Sequence, residues 1–351
     1  MHIYFTKASI FRKDLESVLE TMLTDKFGPA RFRHAREFEK ELAEFTGHEA
    51  AAVVNSGSAA MHLALLSLGI TKDDEVIVPS YAESAILHII NYVGARAVVA
   101  DINHNNFGLS HDEVKKLVTP KTKAIYVPHL FGFPVDISVF SEFNLPVIED
   151  ITDSLGAEFK GVKIGLTAAV CVASFSDEKM ITTGQGGAVL SVNRKLIQSV
   201  RELVDYQAME PYSIRYNYRL SDLQAALGIN QLKYLPRFIE KRQQIAGEYA
   251  KIFQKSGVEF FDLPIDRYNT WYKFVISLQG GVQKTLQLLK KAHIETQEPV
   301  RRPLHKILGL DSANYPNTEL AFHRFLALPI YPTLKKNEIE RIALEVAKSL
   351  Y

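Results

Sequence analysis

From Ala51 onward, short runs rich in Val, Ile and Ala alternate with longer segments whose apolar residues recur every three to four positions. Alternation of a strand-like and a helix-like pattern is what βαβ units produce, and the arrangement expected from it is a largely parallel sheet with helices packed on it. The runs at 51–54, 75–79, 97–101, 124–128, 146–150, 170–175 and 188–192 read as strands. The segments 59–68, 84–93, 111–118, 195–203 and 221–235 read as helices, the first of them stopped by Gly69.

After Leu235 the rhythm changes. A long charged helix is predicted over 237–256, then an aromatic-rich strand at 271–277, a helix over 283–292 and a closing helix over 336–350. This predicts a larger α/β domain over 21–235 and a smaller α+β domain over 236–351. The first 20 residues, helical in pattern, are expected to pack on the smaller domain, and 33–45 leads into the main sheet.

Composition narrows the partners. With 351 residues, 47% of them apolar, the chain can bury a core large enough for two domains. Lys plus Arg number 41 against 40 Asp plus Glu, so the basic footprint of a nucleic-acid binder is missing. Cys171 is the single cysteine and lies in an apolar run, which rules out an intramolecular disulfide or a cysteine metal cluster and fits a reducing cytoplasm. The polar N-terminus does not read as a secretory signal. Nor does any segment carry the ~20 apolar residues of a spanning helix, so a soluble cytoplasmic protein is expected.

Three places carry chemistry. In Val53-Val-Asn-Ser-Gly-Ser-Ala-Ala-Met-His a strand enters a helix through small residues. Unpaired N–H groups at Gly57 and Ser58, together with the helix dipole, suit a phosphate, and the competing reading is that Ser58 only caps the helix. Next, Leu145-Pro-Val-Ile-Glu-Asp is a strand ending on Asp150, which in an open α/β sheet faces the ligand crevice; alone it could equally be a turn residue. Finally, Lys179 lies between an apolar run and the Gly-rich Thr183-Gly-Gln-Gly-Gly187. In that order, a phosphate cradle, a strand-end aspartate and a lysine beside a tight turn are the parts that pyridoxal phosphate requires. Asp150 would keep the pyridine nitrogen protonated, and Lys179 would bind the aldehyde as a Schiff base and later move protons.

The chain also resembles the DegT/DnrJ/EryC1/StrS family of sugar aminotransferases, which are fold-type-I pyridoxal phosphate enzymes. The resemblance rests on stretches in family order: Val54-Asn-Ser-Gly-Ser-Ala-Ala-Met-His, Asp74-Glu-Val-Ile-Val-Pro-Ser, Pro146-Val-Ile-Glu-Asp, Leu155-Gly-Ala-Glu, Lys179-Met-Ile-Thr-Thr-Gly-Gln-Gly-Gly, Tyr216-Asn-Tyr-Arg-Leu-Ser-Asp and Leu328-Pro-Ile-Tyr-Pro. It implies a mostly parallel seven-stranded sheet sandwiched by helices, Lys179 as the Schiff-base lysine and Asp150 on the pyridine nitrogen. It further implies that Gly57, Ser58 and Ser174 bind the phosphate, with Asn217 reaching in from the partner subunit of a homodimer. His305 falls at a substrate-side histidine of the family, and a capping or surface role competes for it. His129 matches a histidine the family shares at a strand end. Arg219 is a candidate for an anionic group, with a structural ion pair as the alternative. The reaction implied is transfer of an amino group, usually from glutamate, to a keto carbon of a nucleotide-linked deoxysugar for polysaccharide or glycoconjugate synthesis.

Two positions depart from the family pattern. Glu83 stands where an aromatic residue usually stacks on the pyridine ring, and Asp153 replaces the glutamine or histidine that donates to the cofactor's phenolic oxygen. Either Asp153 is protonated or it accepts a proton held by that oxygen, unless the local backbone keeps both acids off the ring. A deoxygenating dehydratase of the same family is disfavoured because such relatives carry histidine in place of the lysine. A cofactor-binding sensor or complex subunit is the alternative that Glu83 and Asp153 keep open.

Overall fold

The computed structural model describes residues 2–23, 32–104, 106–206, 212–261, 264 and 266–350. Its largest element is a seven-stranded sheet in the order β1-β9-β8-β5-β4-β2-β3. The strands are β1 (Ala50–Val54), β2 (Glu75–Pro79), β3 (Arg96–Ala100), β4 (Thr122–Pro128), β5 (Val147–Asp150), β8 (Val170–Ser174) and β9 (Gly187–Ser191), with the two-residue β6 (Glu158–Phe159) and β7 (Val162–Lys163) lying outside it. Only β9 runs antiparallel to its neighbours, and the remaining pairings are parallel. The predicted mostly parallel, helix-covered sheet is therefore present.

Both faces of this sheet are buried, which explains the continuous apolar strands. Ile77, Ile125, Val127, Cys171 and Ala173 pack on one side with α2 (Arg33–Thr46). Val76, Val78, Ala124, Tyr126, Val170 and Val172 pack on the other with α3 (Gly57–Ser67) and α4 (Ala85–Tyr92). Alternate residues of a strand point to opposite faces, so both sets must be apolar.

Helix α1 (Arg12–Leu23) precedes α2, and α5 (His111–Leu117) and α6 (Arg194–Val204) complete the first part of the chain. The helices predicted over 221–235 and 237–256 are one helix, α7 (Asp222–Ser256), with Pro236 inside it. Proline removes one hydrogen bond and normally ends a helix. Here the buried stripe runs unbroken through it, by Leu232, Leu235, Phe238, Ile239, Arg242, Ala246, Tyr249 and Phe253, so packing on both sides of the proline outweighs the lost bond. At the other end Asp222 closes the start of α2, accepting from Arg33 N (3.1 Å) and Ala35 N (3.0 Å).

A second, three-stranded antiparallel sheet has the order β10 (Glu259–Phe260), β12 (Phe274–Ser277), β13 (Phe325–Leu328). The strand predicted from Trp271 thus begins three residues later, because Trp271 has a left-handed backbone (φ 54°) that no strand continues through. The short β11 (Arg267–Tyr268) joins β6 and β7 instead. Helices α8 (Gln283–Lys291), α9 (Leu304–Ile307), α10 (Pro316–Arg324) and α11 (Lys336–Lys348) follow. Ile3 is buried in the core of this second sheet and bridges to Ile294, whereas α1 lies along α7. Residues 24–31, part of the predicted larger domain, lie outside the described residues. No helix among the described residues is long and apolar enough to cross a membrane.

Candidate active site

A cavity of about 530 Å³ opens beyond the carboxyl ends of β1, β5 and β8, the position that open α/β sheets give to ligands. Its lining combines Gly57 and Ser58 from the start of α3, Asp150 from the end of β5, Ser174 from the end of β8, Lys179 from the loop that follows, and Glu83 from the turn after β2. A wider groove of about 1010 Å³ between α2 and α6 is lined mainly by charged side chains, among them the pairs Arg201–Glu39 and Arg194–Glu49, and carries none of this set.

The start of α3 has donors to spare. Ser56, not Ser58, caps the helix by accepting from Ala59 N at 3.1 Å. Ser58 is exposed toward the cavity, so the capping alternative for it does not hold, and the sequence pattern could not tell two serines two residues apart. Gly57 is packed so closely on β8 that a Cβ there would lie 2.6 Å from Ser174 Cβ. A Cβ on Gly187 would lie 2.4 Å from the Ser56 carbonyl, which is why β9 can run beside this helix start only as glycine. Serine hydroxyls, early helix N–H groups and space that a side chain would fill form an anion cradle.

Asp150 is held on both oxygens. Tyr126 Oη donates to Oδ2 at 2.7 Å and Thr152 N to Oδ1 at 2.9 Å. Burial, with the Asp150 charge beside it, pushes the Tyr126 phenol well above its ordinary range, so it stays a donor. Thr152 Oγ1 in turn accepts from Ser174 N at 3.1 Å, tying the aspartate to the cradle. Tyr126 and Thr152 were not singled out in the sequence. Their positions, two residues either side of strand-end residues already flagged, are the one signal that could have found them.

Lys179 Nζ sits 3.1 Å from Asp153 Oδ1 and 5.0 Å from the centroid of the Tyr272 ring. Burial opposes its charge, but the Asp153 carboxylate outweighs burial and leaves the ammonium well above the usual lysine range. Asp153 Oδ2 accepts from Phe131 N at 3.4 Å. Asp153 therefore meets the lysine directly and does not line the cavity, while Glu83 does line it and is exposed there. Lys273 also lines the cavity, buried, and it was missed because it follows aromatic residues in what read as an ordinary strand.

Other expected site residues stand elsewhere. His305 is fully buried, with Nδ1 2.6 Å from Ser80 Oγ, Nε2 2.7 Å from Glu319 Oε1 and its ring stacked on Tyr315. Both of its nitrogens are engaged within the fold, which fits a structural role and leaves neither turned to the cavity. Arg219 pairs with Asp205, donates to the Val204 carbonyl and lies on the Phe32 ring, the structural alternative foreseen for it. His129 is buried, its Nδ1 accepting from Val135 N at 2.9 Å and its Nε2 2.7 Å from Glu149 Oε1. Asn217 is exposed outside the cavity of this single chain, its carbonyl accepting from Asn55 at 3.3 Å.

The set as a whole fits a phosphorylated pyridine aldehyde. An anion cradle, a doubly anchored carboxylate and an amine open into one space, one partner for each of the polar groups such a molecule presents.

Comparison with known proteins agrees. The model of the DegT/DnrJ/EryC1/StrS aminotransferase family matches residues 9–347. The GDP-perosamine synthase of Caulobacter vibrioides is 33% identical, over 87% of each chain. The UDP-N-acetyl-3-dehydro-alpha-D-glucosamine 3-aminotransferase of Acidithiobacillus ferrooxidans is 27% identical, over 90% of this chain and 88% of that one. Among solved structures, DesV of S. venezuelae, in complex with a ketimine intermediate, superposes with a TM-score of 0.89 at 28% identity, over 95% of this chain and 93% of the other. The resemblance drawn from Lys179 and its co-linear motifs is borne out: the chain belongs to the DegT/DnrJ/EryC1/StrS aminotransferase family.

Proposed function

We propose that this protein is a pyridoxal phosphate-dependent aminotransferase that moves an amino group, from glutamate, to a keto carbon of a nucleotide-linked deoxysugar. The observation that carries the reading is the convergence of Lys179, Asp150 and the start of α3 on one cavity. Relatives named for making an aminated GDP-sugar and for aminating a UDP-sugar support the substrate class. The spore coat polysaccharide protein of Bacillus subtilis, 29% identical, supports a role in polysaccharide or glycoconjugate assembly.

When bound, pyridoxal phosphate supplies the electron sink that lets an amino group leave one carbon and join another. Gly57 N, Ser58 N and the Ser58 and Ser174 hydroxyls would hold its phosphate, and Asp150, fixed by Tyr126 and Thr152, would keep its ring nitrogen protonated. Lys179 Nζ would hold the aldehyde end of the cofactor and would carry the proton at the reacting carbon. Asp153 stands ready to take the ammonium charge of Lys179 in either role. Asn217 is assigned to the phosphate of the neighbouring subunit in a homodimer acting in the cytoplasm, and residues 21–235 and 236–351 to a cofactor-binding and a smaller unit.

Adding L-glutamate to the holoenzyme should bleach the absorption band of the lysine-bound cofactor and release 2-oxoglutarate in a 1:1 ratio with it, judged by absorbance and mass spectrometry. A band that survives glutamate and every other amino acid tried would favour the sensor or complex-subunit reading that Glu83 and Asp153 kept open.

A further inference from the structure

Two lysines approach the Tyr272 ring: its centroid is 5.0 Å from Lys179 Nζ and 5.6 Å from Lys273 Nζ. Both line the cavity. Lys179 has a carboxylate at 3.1 Å, whereas Lys273, at 8% exposure, donates to the Pro299 carbonyl at 2.9 Å and approaches the Phe131 ring at 5.7 Å. Holding an ammonium there against burial is costly, and a carbonyl alone does not offset it. A purely structural demand just before β12 would be met by an apolar residue, as at Phe274 and Ile276, which are fully buried.

What faces Lys273 explains why a cation is kept. The charges that act on it are Asp153 in the turn after β5, Glu83 in the turn after β2, and Glu178 and Lys179 in the loop after β8. Tyr272 adjoins it in the bend before β12, and Glu298 lies beside its acceptor Pro299 on the cavity wall. Burial lowers its proton affinity, and Asp153 and Glu83 work against that loss. Phe131 joins the two sides by its backbone. Its N–H points to Asp153 and its carbonyl accepts Lys273 N at 3.2 Å, with φ at 64°, a conformation a buried aromatic residue adopts only under constraint.

The chemistry of the site creates a charge problem. To act as an amine, Lys179 must lose its proton, and among the described residues the Asp153 carboxylate then keeps the Phe131 N–H as its hydrogen-bond donor. We propose that Lys273 is a positioning residue whose ammonium holds the negative charge of Asp153 and Glu83 while the Lys179 nitrogen is neutral, so that it sets how readily Lys179 gives up its proton. The proposal rests on the reading of Lys179 as the cofactor-binding lysine.

The test begins with cofactor-free protein. Acetic anhydride at pH 9 acylates only the neutral amine, and peptide mass spectrometry gives the rate at Lys179 relative to the exposed Lys255. Lys273→Gln keeps a donor for the Pro299 carbonyl and removes the charge; Lys273→Met removes both; Lys273→Arg keeps the charge. The expected result is that the Gln and Met variants slow Lys179 by about threefold to tenfold, the factor given by half to one unit of proton affinity, while Arg leaves it within about twofold. An unchanged Lys179 rate in a folded Gln or Met variant overturns the proposal. If neither neutral variant folds while Arg does, Lys273 is structural and the proposal is equally overturned. Borohydride reduction of the wild-type holoenzyme separates the two readings. A pyridoxyl label on Lys179 with unchanged acylation sinks this inference alone, whereas a label on Lys273, or none, sinks the assignment of Lys179 beneath it.

Discussion

Gly57→Ala probes the cradle most sharply, because the backbone there is ordinary and only the space is special. The added Cβ would lie 2.6 Å from Ser174 Cβ, 2.9 Å from its Oγ and 3.4 Å from its Cα. Ser174 belongs to β8, in the interior of the seven-stranded sheet, so the strand cannot retreat and the helix start must. Overpacking of this kind costs about 1–3 kcal/mol, against a few tenths regained from alanine's better helix propensity at a first-turn position. The melting temperature of the cofactor-free protein should therefore fall by about 1–4 °C. The same methyl group narrows the space beside the early N–H groups, so affinity for pyridoxal phosphate, followed by absorbance titration, should drop about tenfold to hundredfold, equivalent to about 1.4–2.7 kcal/mol. Adding Ser174→Gly removes the clash and should restore melting without restoring affinity, because a cradle hydroxyl is then missing. Wild-type affinity in Gly57→Ala would refute the placement of the phosphate.

The neighbouring serines should separate cleanly: Ser56→Ala loses the helix cap and about 1 kcal/mol of stability, while Ser58→Ala leaves melting unchanged and weakens cofactor binding, and the reverse pattern in calorimetry and titration would contradict their assigned roles. Asp153→Gln removes the carboxylate that raises the proton affinity of Lys179, so acylation of that lysine at pH 9 should quicken by about tenfold or more, and the spectral pH titration of the holoenzyme should move away from the wild-type curve; coincident curves would remove Asp153 from the account. For Glu319, burial works against the charge, but Lys306, His305 and Ser312 together hold the carboxyl down at about 2. A depressed carboxyl stabilises the fold above its unfolded value of about 4.3 and loses that contribution as pH falls toward the folded value. The melting deficit of Glu319→Gln should accordingly be full at pH 7 and shrink between about pH 4.3 and pH 2, and a gap that grows with acid would contradict the sign.

Much of this fold was legible because burial on both faces of the sheet leaves a strong local trace. The strands at 75–79 and 170–174 carry unbroken apolar stretches (Val76–Pro79, Val170–Ala173), the strand at 147–150 runs from Val147 and Ile148 into two acids at its carboxyl end, and the glycines at Gly57 and Gly187 mark where backbone must approach its neighbours. Pro236 misled because its local rule is real but small beside the buried stripe of a 35-residue helix. His305 and Arg219 were left between two readings for a different reason: a motif places a residue near the site but does not say which way its side chain turns, and in this chain Ser80 and Glu319 engage the first and Asp205 the second. Lys273 and Tyr272 were invisible for the complementary reason. They reach the cavity only because the second sheet folds back against the first, a long-range contact that no window of sequence contains.

The central claim is that nitrogen passes from an amino acid to a nucleotide-linked sugar at Lys179. Holoenzyme supplied with 15N-glutamate and a set of GDP-, UDP- and dTDP-linked 3-keto and 4-keto sugars should yield one nucleotide sugar carrying the heavy nitrogen by mass spectrometry, and Lys179→Ala should yield none. Heavy nitrogen absent from every sugar, while the glutamate half of the reaction still runs, would contradict the account.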